Sequence, residues 1–151
     1  MNLPDTTLAD ILYKIYQSTL SLDKITSSVL KHHTNLTYSQ FVVLKCLHFS
    51  PQITQKEIAE YLHITQPAVS RQIELLTKKK FIMRKENDSD RREDKIILTA
   101  SGEEQLGKAL TISLKEFKHI FSATNIVALN LQLTNLLNSL KQNKYHYEKD
   151  R

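Results

Sequence analysis

Residues 54–99 read TQKEIAEYLHITQPAVSRQIELLTKKKFIMRKENDSDRREDKIILT, and the order of local signals in this stretch decides the fold. Thr54-Gln55-Lys56-Glu57 is a capping box, in which the threonine hydroxyl accepts from the amide three residues on and the glutamate reaches back. It opens a short helix with Ile58, Ala59 and Leu62 as its inner face, and small Ala59 lets a second helix cross closely. His63-Ile64 makes the turn, with Ile64 expected to plug the corner. Thr65 is expected to cap the next helix, where Pro67 is tolerated because first-turn amides lack helical partners anyway. Val69, Ile73 and Leu76 step by four and three, so they face inward. Pro67, Ser70, Arg71, Glu74 and Lys78 lie on the other side, with Gln66 near the helix start. Residues 81–85 and 95–99 then read as two short strands. The connection, residues 86–94, holds the turn formers Asn87, Asp88, Ser89 and Asp90, and Arg91 and Arg92 stand at or near its tip.

The flanks are helical. Leu8, Ile11, Leu12, Ile15, Leu22, Ile25 and Val29 make one stripe along a long helix. Asp5, following Pro4, is placed to cap its start, and His32, His33, Thr34 and Asn35 end it. That stripe is longer than one chain can cover, so part of it is expected to face a partner subunit. Thr37-Tyr38-Ser39-Gln40 is another capping box. The helix it opens is apolar on nearly all sides, hence buried, and Ser50-Pro51 stops it. Thr99 or Ser101 caps a further helix, with Glu103 and Glu104 at the positive end of its dipole. Its stripe is Leu106, Leu110, Leu114, Phe117 and Phe121. Asn125 starts the last helix, striped by Ile126, Leu129, Leu133, Leu136, Leu137 and Leu140. Residues 143–151 form a polar tail expected to fray.

Composition narrows the class. A chain of 151 residues with 40% apolar side chains fits one domain of ordinary size. Every apolar run is broken well before the roughly 18 residues a membrane span needs, and the N-terminus lacks the basic and small-residue pattern of a signal peptide. No membrane partner is expected. Cys46 is the single cysteine, which rules out an intrachain disulfide and a Cys-rich zinc site and makes a reducing cytoplasm the expected location. Its helix is the apolar one, so a core role is expected. The histidines show no ligand spacing, and adjacent His32 and His33 diverge on a helix. No metal and no cofactor are expected. No phosphate-cradling glycine loop or nucleophile–base motif is present, so an enzyme is not expected.

A net charge of +5 favours an anionic partner. The outward face of the second motif helix has suitable chemistry for double-stranded DNA. Gln66 can read an adenine edge, and Arg71 can pair bidentately with guanine or clamp a phosphate. Ser70 and Thr65 can bond phosphates or bases, and the helix N-terminus offers free amides. Glu74 opposes a simple basic grip, and Lys78, Lys79 and Lys80 read as a solvated helix end. The loop mixes Asp88, Asp90, Glu93 and Asp94 with its two arginines, which indiscriminate phosphate binding does not need. One carboxylate orienting one guanidinium into a narrow, electronegative minor groove accounts for the mixture. Surface ion pairs holding the loop are the alternative.

Residues 90–102, DRREDKIILTASG, fit the D-x-R-x-x-x-[IV]-x-L-T-x-x-G signature, and the chain resembles the MarR family of regulators. Ile58-Ala59, Leu62, Ile64-Thr65, Ala68-Val69-Ser70-Arg71 and Ile73 resemble that family's helix-turn-helix. The resemblance covers nearly the whole chain. It implies a mainly α fold with a small β-hairpin wing, a winged helix-turn-helix lobe at 37–99, and dimerisation helices at 5–33 and 100–142, all in one domain. It also implies a homodimer, probing the minor groove with Arg92 held by Asp90, and with Arg91 as a neighbouring backbone contact. The function implied is a ligand-responsive repressor on a pseudo-palindromic operator. A small aromatic or anionic effector is implied as well, for which Tyr13, Tyr16, Tyr38 and Phe117 are candidate lining residues. The reactive cysteine of thiol-sensing relatives, near the start of the first helix, does not occur here. The alternative from another class is a winged-helix protein-interaction module with no DNA target.

Overall fold

A computed structural model describes the backbone of residues 5–87 and 93–149 and the side chains of residues 6–87 and 93–142. The elements are α1 (Asp5–His33), α2 (Tyr38–Phe49), β1 (Ile53–Thr54), α3 (Gln55–Leu62), α4 (Gln66–Lys78), β2 (Ile82–Lys85), β3 (Lys95–Leu98), α5 (Ala100–Ile120) and α6 (Ile126–Lys149). The chain divides into two units, Met1–Ser113 and Leu114–Arg151.

The helix starts follow from local chemistry. Thr37 Oγ1 accepts from the Gln40 amide at 3.3 Å, and Gln40 Oε1 accepts from the Thr37 amide at 3.3 Å. At α3 the same reciprocal pair joins Thr54 and Glu57, at 3.2 and 2.7 Å. The bond donated by the Thr54 backbone, more than any other influence, holds the Glu57 carboxyl below its usual pKa. Thr99 is the cap of α5, accepting from the Gly102 amide at 3.1 Å, and Ser101 lies inside the helix. Asn125 Oδ1 accepts from Ala128 at the start of α6. Asp5 is already helical, so it belongs to α1 and does not precede it. Residues 143–149 continue α6, where no Gly or Pro interrupts the turn-to-turn bonding.

The core of the first unit gathers Leu30 of α1, Leu36, most of α2, Ile58 and Ala59 of α3, Val69, Ile73 and Leu76 of α4, Ile82, Ile96, and Leu106 and Ala109 of α5. The three inward positions of α4 are fully buried, as their spacing predicts. The wing hairpin gains a strand that sequence patterning did not reveal. Residues Ile53 and Thr54 pair antiparallel with Ile96 and Lys95, giving the order β1-β3-β2. A corner expectation also fails. Ile64 is 43% exposed, because His63 adopts the left-handed region (φ 53°) and the Ile64 amide bonds back to Ala59 O at 3.1 Å. The backbone closes this turn, so no apolar plug is required.

Cys46 is buried, and burial pushes its thiol up to about 11. The neutral thiol therefore contributes stability that is complete below its unfolded value near 9 and is lost as pH rises through about 11. We expect alkylation at neutral pH to be at least about a hundredfold slower in the native protein than in guanidinium, since only an accessible thiolate reacts. Mass spectrometry of iodoacetamide-treated samples measures this; equal rates would place the thiol at the surface.

Candidate nucleic-acid interface

The α4 helix is held from behind by Val69, Ile73 and Leu76, which leaves one face for recognition. Gln66, Pro67 and Arg71 are exposed and Ser70 is half-buried. Among the described residues Arg71 and Glu74 form no ion pair with each other or with any other group. The guanidinium of Arg71 thus stays available to a ligand. Thr65 occupies the N-cap in extended geometry (φ −71°, ψ 147°), but its hydroxyl makes no capping bond. Pro67, at the second helical position, has no amide to offer it, and the hydroxyl does not turn to the Ala68 amide at the third. The expectation of a Thr65 side-chain cap is corrected, and the hydroxyl is left unengaged beside the open first-turn amides, a geometry suited to phosphate.

Ala68 is also exposed on this first turn. It carries no hydrogen-bonding group, yet a small apolar side chain in this turn suits contact with a thymine methyl. Its only signal in the sequence is its place in the first turn, on the flank of the inward Val69–Ile73–Leu76 set.

The base of the wing is built with care. Arg84 Nη1 of β2 lies 3.6 Å from Asp94 Oδ2, just before β3. One of the five acids of residues 86–94 is thereby assigned to an intramolecular ion pair, as the surface-pair account predicts. Lys85 pairs with Lys95 across the hairpin, placing two cations at the start of the connection. Asp90, Arg91 and Arg92 lie outside the described residues.

The Lys78–Lys80 run is not simply a solvated helix end. Lys79 Nζ donates to Gln40 Oε1 at 2.9 Å and to the carbonyl of Asn35. At the other end of the hairpin Thr99 Oγ1 donates to Lys80 O at 2.7 Å, and the Thr99 amide to Phe81 O at 3.0 Å. Gly102 packs directly on Phe81, for a Cβ there would sit 2.0 Å from the Phe81 carbonyl oxygen. The Thr and Gly of the L-T-x-x-G pattern therefore join the wing to the end of α4.

The residues expected around an effector are distributed differently from one another. Tyr13 and Tyr16 are 62% and 59% exposed on α1. The Tyr38 hydroxyl donates to the Asp23 carboxylate; burial first, and that bond second, raise its pKa. Phe117 stacks edge-on against Phe121 with ring centres 6.3 Å apart. Among the described residues no cluster of three or more His, Cys, Asp or Glu is placed to hold a metal, and His48 instead meets Glu103 at 3.1 Å. No helix among them is long and apolar enough to cross a membrane.

The MarR family model matches residues 36–93. YwoH of Bacillus subtilis (strain 168), an uncharacterized HTH-type transcriptional regulator, is 33% identical over 95 residues, which is 63% of this chain and 68% of its own. The chain belongs to the MarR family. A MarR family protein from Bacillus stearothermophilus shares the fold, with a TM-score of 0.80 at 15% identity, covering 93% of this chain and 99% of that one. The transcriptional repressor CouR, solved bound to a 23-mer DNA duplex, has a TM-score of 0.70 at 25% identity, with 91% and 99% covered. This MarR-family chain is a DNA-binding transcriptional regulator, which sets aside the reading as an interaction module without a DNA target.

Proposed function

We propose that this regulator is a homodimeric repressor that binds a pseudo-palindromic operator, with α4 of each subunit in a major groove and Arg92 of each wing in the flanking minor groove. The observation that carries this reading is the contrast across α4. Its inner face is fully buried, whereas Arg71 on its outer face is exposed and has no ion-pair partner among the described residues. Asp90 is assigned to hold Arg92, a role that resemblance supports and that the pairing of Asp94 with Arg84 makes more specific. Arg91 is assigned a neighbouring phosphate. CouR, a repressor seen on a duplex, supports the direction of regulation and a duplex-DNA partner.

Dimerisation is supported by apolar surface that a single chain leaves bare. On α1, Leu8, Leu12 and Leu20 are 49%, 57% and 46% exposed. On α6 Leu133, Leu136, Leu137 and Leu140 are all exposed as well. Such stripes normally mark an interface. The helices at 5–33 and 100–142 are accordingly assigned to dimerisation, and 37–99 to the DNA-binding lobe. For a small aromatic or anionic effector, Tyr13, Tyr16 and Tyr38 are the residues assigned from the first unit and Phe117 the one assigned from the second. Because the Tyr38 hydroxyl is engaged by Asp23, Tyr38 would serve there through its ring.

Footprinting of the purified protein on DNA beside its own gene tests the core of this reading. The expected result is a symmetric protected region with half-site centres about 10 base pairs apart or a multiple of that. Protection of a single asymmetric site would exclude the dimeric arrangement.

A further inference from the structure

We infer that Lys79 is a positioning residue for DNA recognition, acting through a junction at residues 79–81 that ties the α1–α2 corner to both DNA-contacting elements. The inference rests on the reading of α4 and the wing given above, and it concerns a residue that makes no contact with DNA in that reading.

Three observations meet at this corner. First, the ammonium of Lys79 is satisfied by two neutral oxygens, Gln40 Oε1 and Asn35 O, and among the described residues no carboxylate pairs with it. Gln40 is itself 3% exposed and shares that same oxygen with the Thr37 amide of the capping box. A surface lysine is ordinarily free to wander; this one ends on a buried acceptor that already belongs to another helix start. Second, the chain turns sharply straight after it. Lys80 has a φ of 59°, and the Phe81 amide bonds back to Leu76 O at 3.0 Å, which closes the last turn of α4. Third, the next two carbonyls are taken from the far side. Lys80 O accepts from the Thr99 hydroxyl, and Phe81 O accepts from the Thr99 amide, while Gly102 packs against that same carbonyl.

Lys79, Lys80 and Phe81 thus bond in succession to the α1–α2 corner, to α4 and to the base of the wing with α5. A displacement of the corner at 35–40 reaches the recognition helix and the wing through the same three residues. Lys79 is the only one of the three whose link runs through a side chain, so it can be cut without removing a backbone donor or acceptor.

The test compares Lys79→Met, which keeps the length and removes the charge and donors, with Lys79→Arg, which keeps both. A duplex is first selected from a random-sequence pool with the wild-type protein. Affinity for that duplex and for an unselected duplex of equal length is then measured across a salt series. Positioning predicts that Lys79→Met loses at least about tenfold for the selected duplex, with little change for the unselected one and an unchanged salt slope. Lys79→Arg is expected to recover most of the loss. A phosphate contact would instead weaken both duplexes alike and lower the salt slope by about 1 per subunit, and that outcome overturns the inference. So does an unaltered affinity for the selected duplex.

Amide hydrogen exchange supplies a readout that does not depend on DNA. In Lys79→Met the amides of Thr37 and Phe81 are expected to exchange at least about tenfold faster, while those of Ile73 and Leu44 stay as in wild type. Unchanged protection at Thr37 and Phe81 overturns the junction even if the protein selects no duplex, whereas faster exchange with no selected duplex overturns only the DNA-recognition part.

Discussion

Gly102→Ala is expected to lower the melting temperature by about 6–12 °C, from a loss of about 3 kcal/mol in a chain of this size. Helix propensity alone predicts the opposite sign, since alanine is favoured over glycine inside a helix by roughly 0.5–1 kcal/mol. The difference lies in what the new methyl meets. At Gly102 a Cβ would come within 2.0 Å of Phe81 O and 3.2 Å of Leu98 Cδ2. The first of these is backbone and cannot swing aside. It is also the acceptor for the Thr99 amide, so moving it stretches the bond that closes the wing. Gly107, five residues along the same helix, supplies the control, because a Cβ there meets nothing within 4 Å. Gly107→Ala is expected to raise the melting temperature by about 1–4 °C. Calorimetry of both variants at one protein concentration measures the pair. Two shifts of the same sign would remove the steric account of the glycine in the L-T-x-x-G pattern.

The same comparison explains which parts of the fold were legible in the sequence. Most signals that act over three or four residues read correctly, the caps expected of Asp5 and Thr65 excepted. The capping boxes at Thr37 and Thr54 and the Val69–Ile73–Leu76 face need only neighbours along the chain, and of the two caps open for α5 the structure uses Thr99. Strand β1 did not read because it has no pattern of its own. Two residues cannot show a period, and Thr54 is extended (φ −77°, ψ 164°) because a helix cap requires it; the strand is that cap geometry extended to a partner at Lys95. Lys79 was hidden for a different reason. Its acceptors lie 39 and 44 positions away, and the local reading of three consecutive lysines sees only a helix end. In the recognition face, Gln66, Pro67 and Arg71 fell where periodicity put them. What spacing did not show was the missing cap bond at Thr65 and the exposed methyl of Ala68.

The wing carries the second large expectation. Arg92→Ala is expected to weaken operator binding by roughly 100-fold or more, since a hydrogen bond from a charged group contributes about 1.5–3 kcal/mol and a dimer loses two such contacts. The loss should extend to unrelated duplexes, and the salt slope should fall by about 2 for the dimer, about 1 per wing. Phosphate grip alone would be served best by a loop without carboxylates, yet residues 86–94 hold five, and Asp94 is already occupied by Arg84 at 3.6 Å. A carboxylate beside an arginine fixes the fork of the guanidinium, which matters for insertion into a narrow groove and little for diffuse attraction. Asp90→Ala is therefore expected to weaken binding as well, although it removes a negative charge from the DNA-facing loop and simple Coulomb attraction predicts a gain. Arg71→Ala gives the contrast on α4: a loss of roughly 1–3 kcal/mol per half-site confined to duplexes carrying the preferred base. Fluorescence anisotropy over a salt series, on the footprinted operator and on a scrambled duplex, separates these cases. Tighter binding by Asp90→Ala would show the acids to be repulsive bystanders, and retained affinity in Arg92→Ala would remove the wing arginine from the interface.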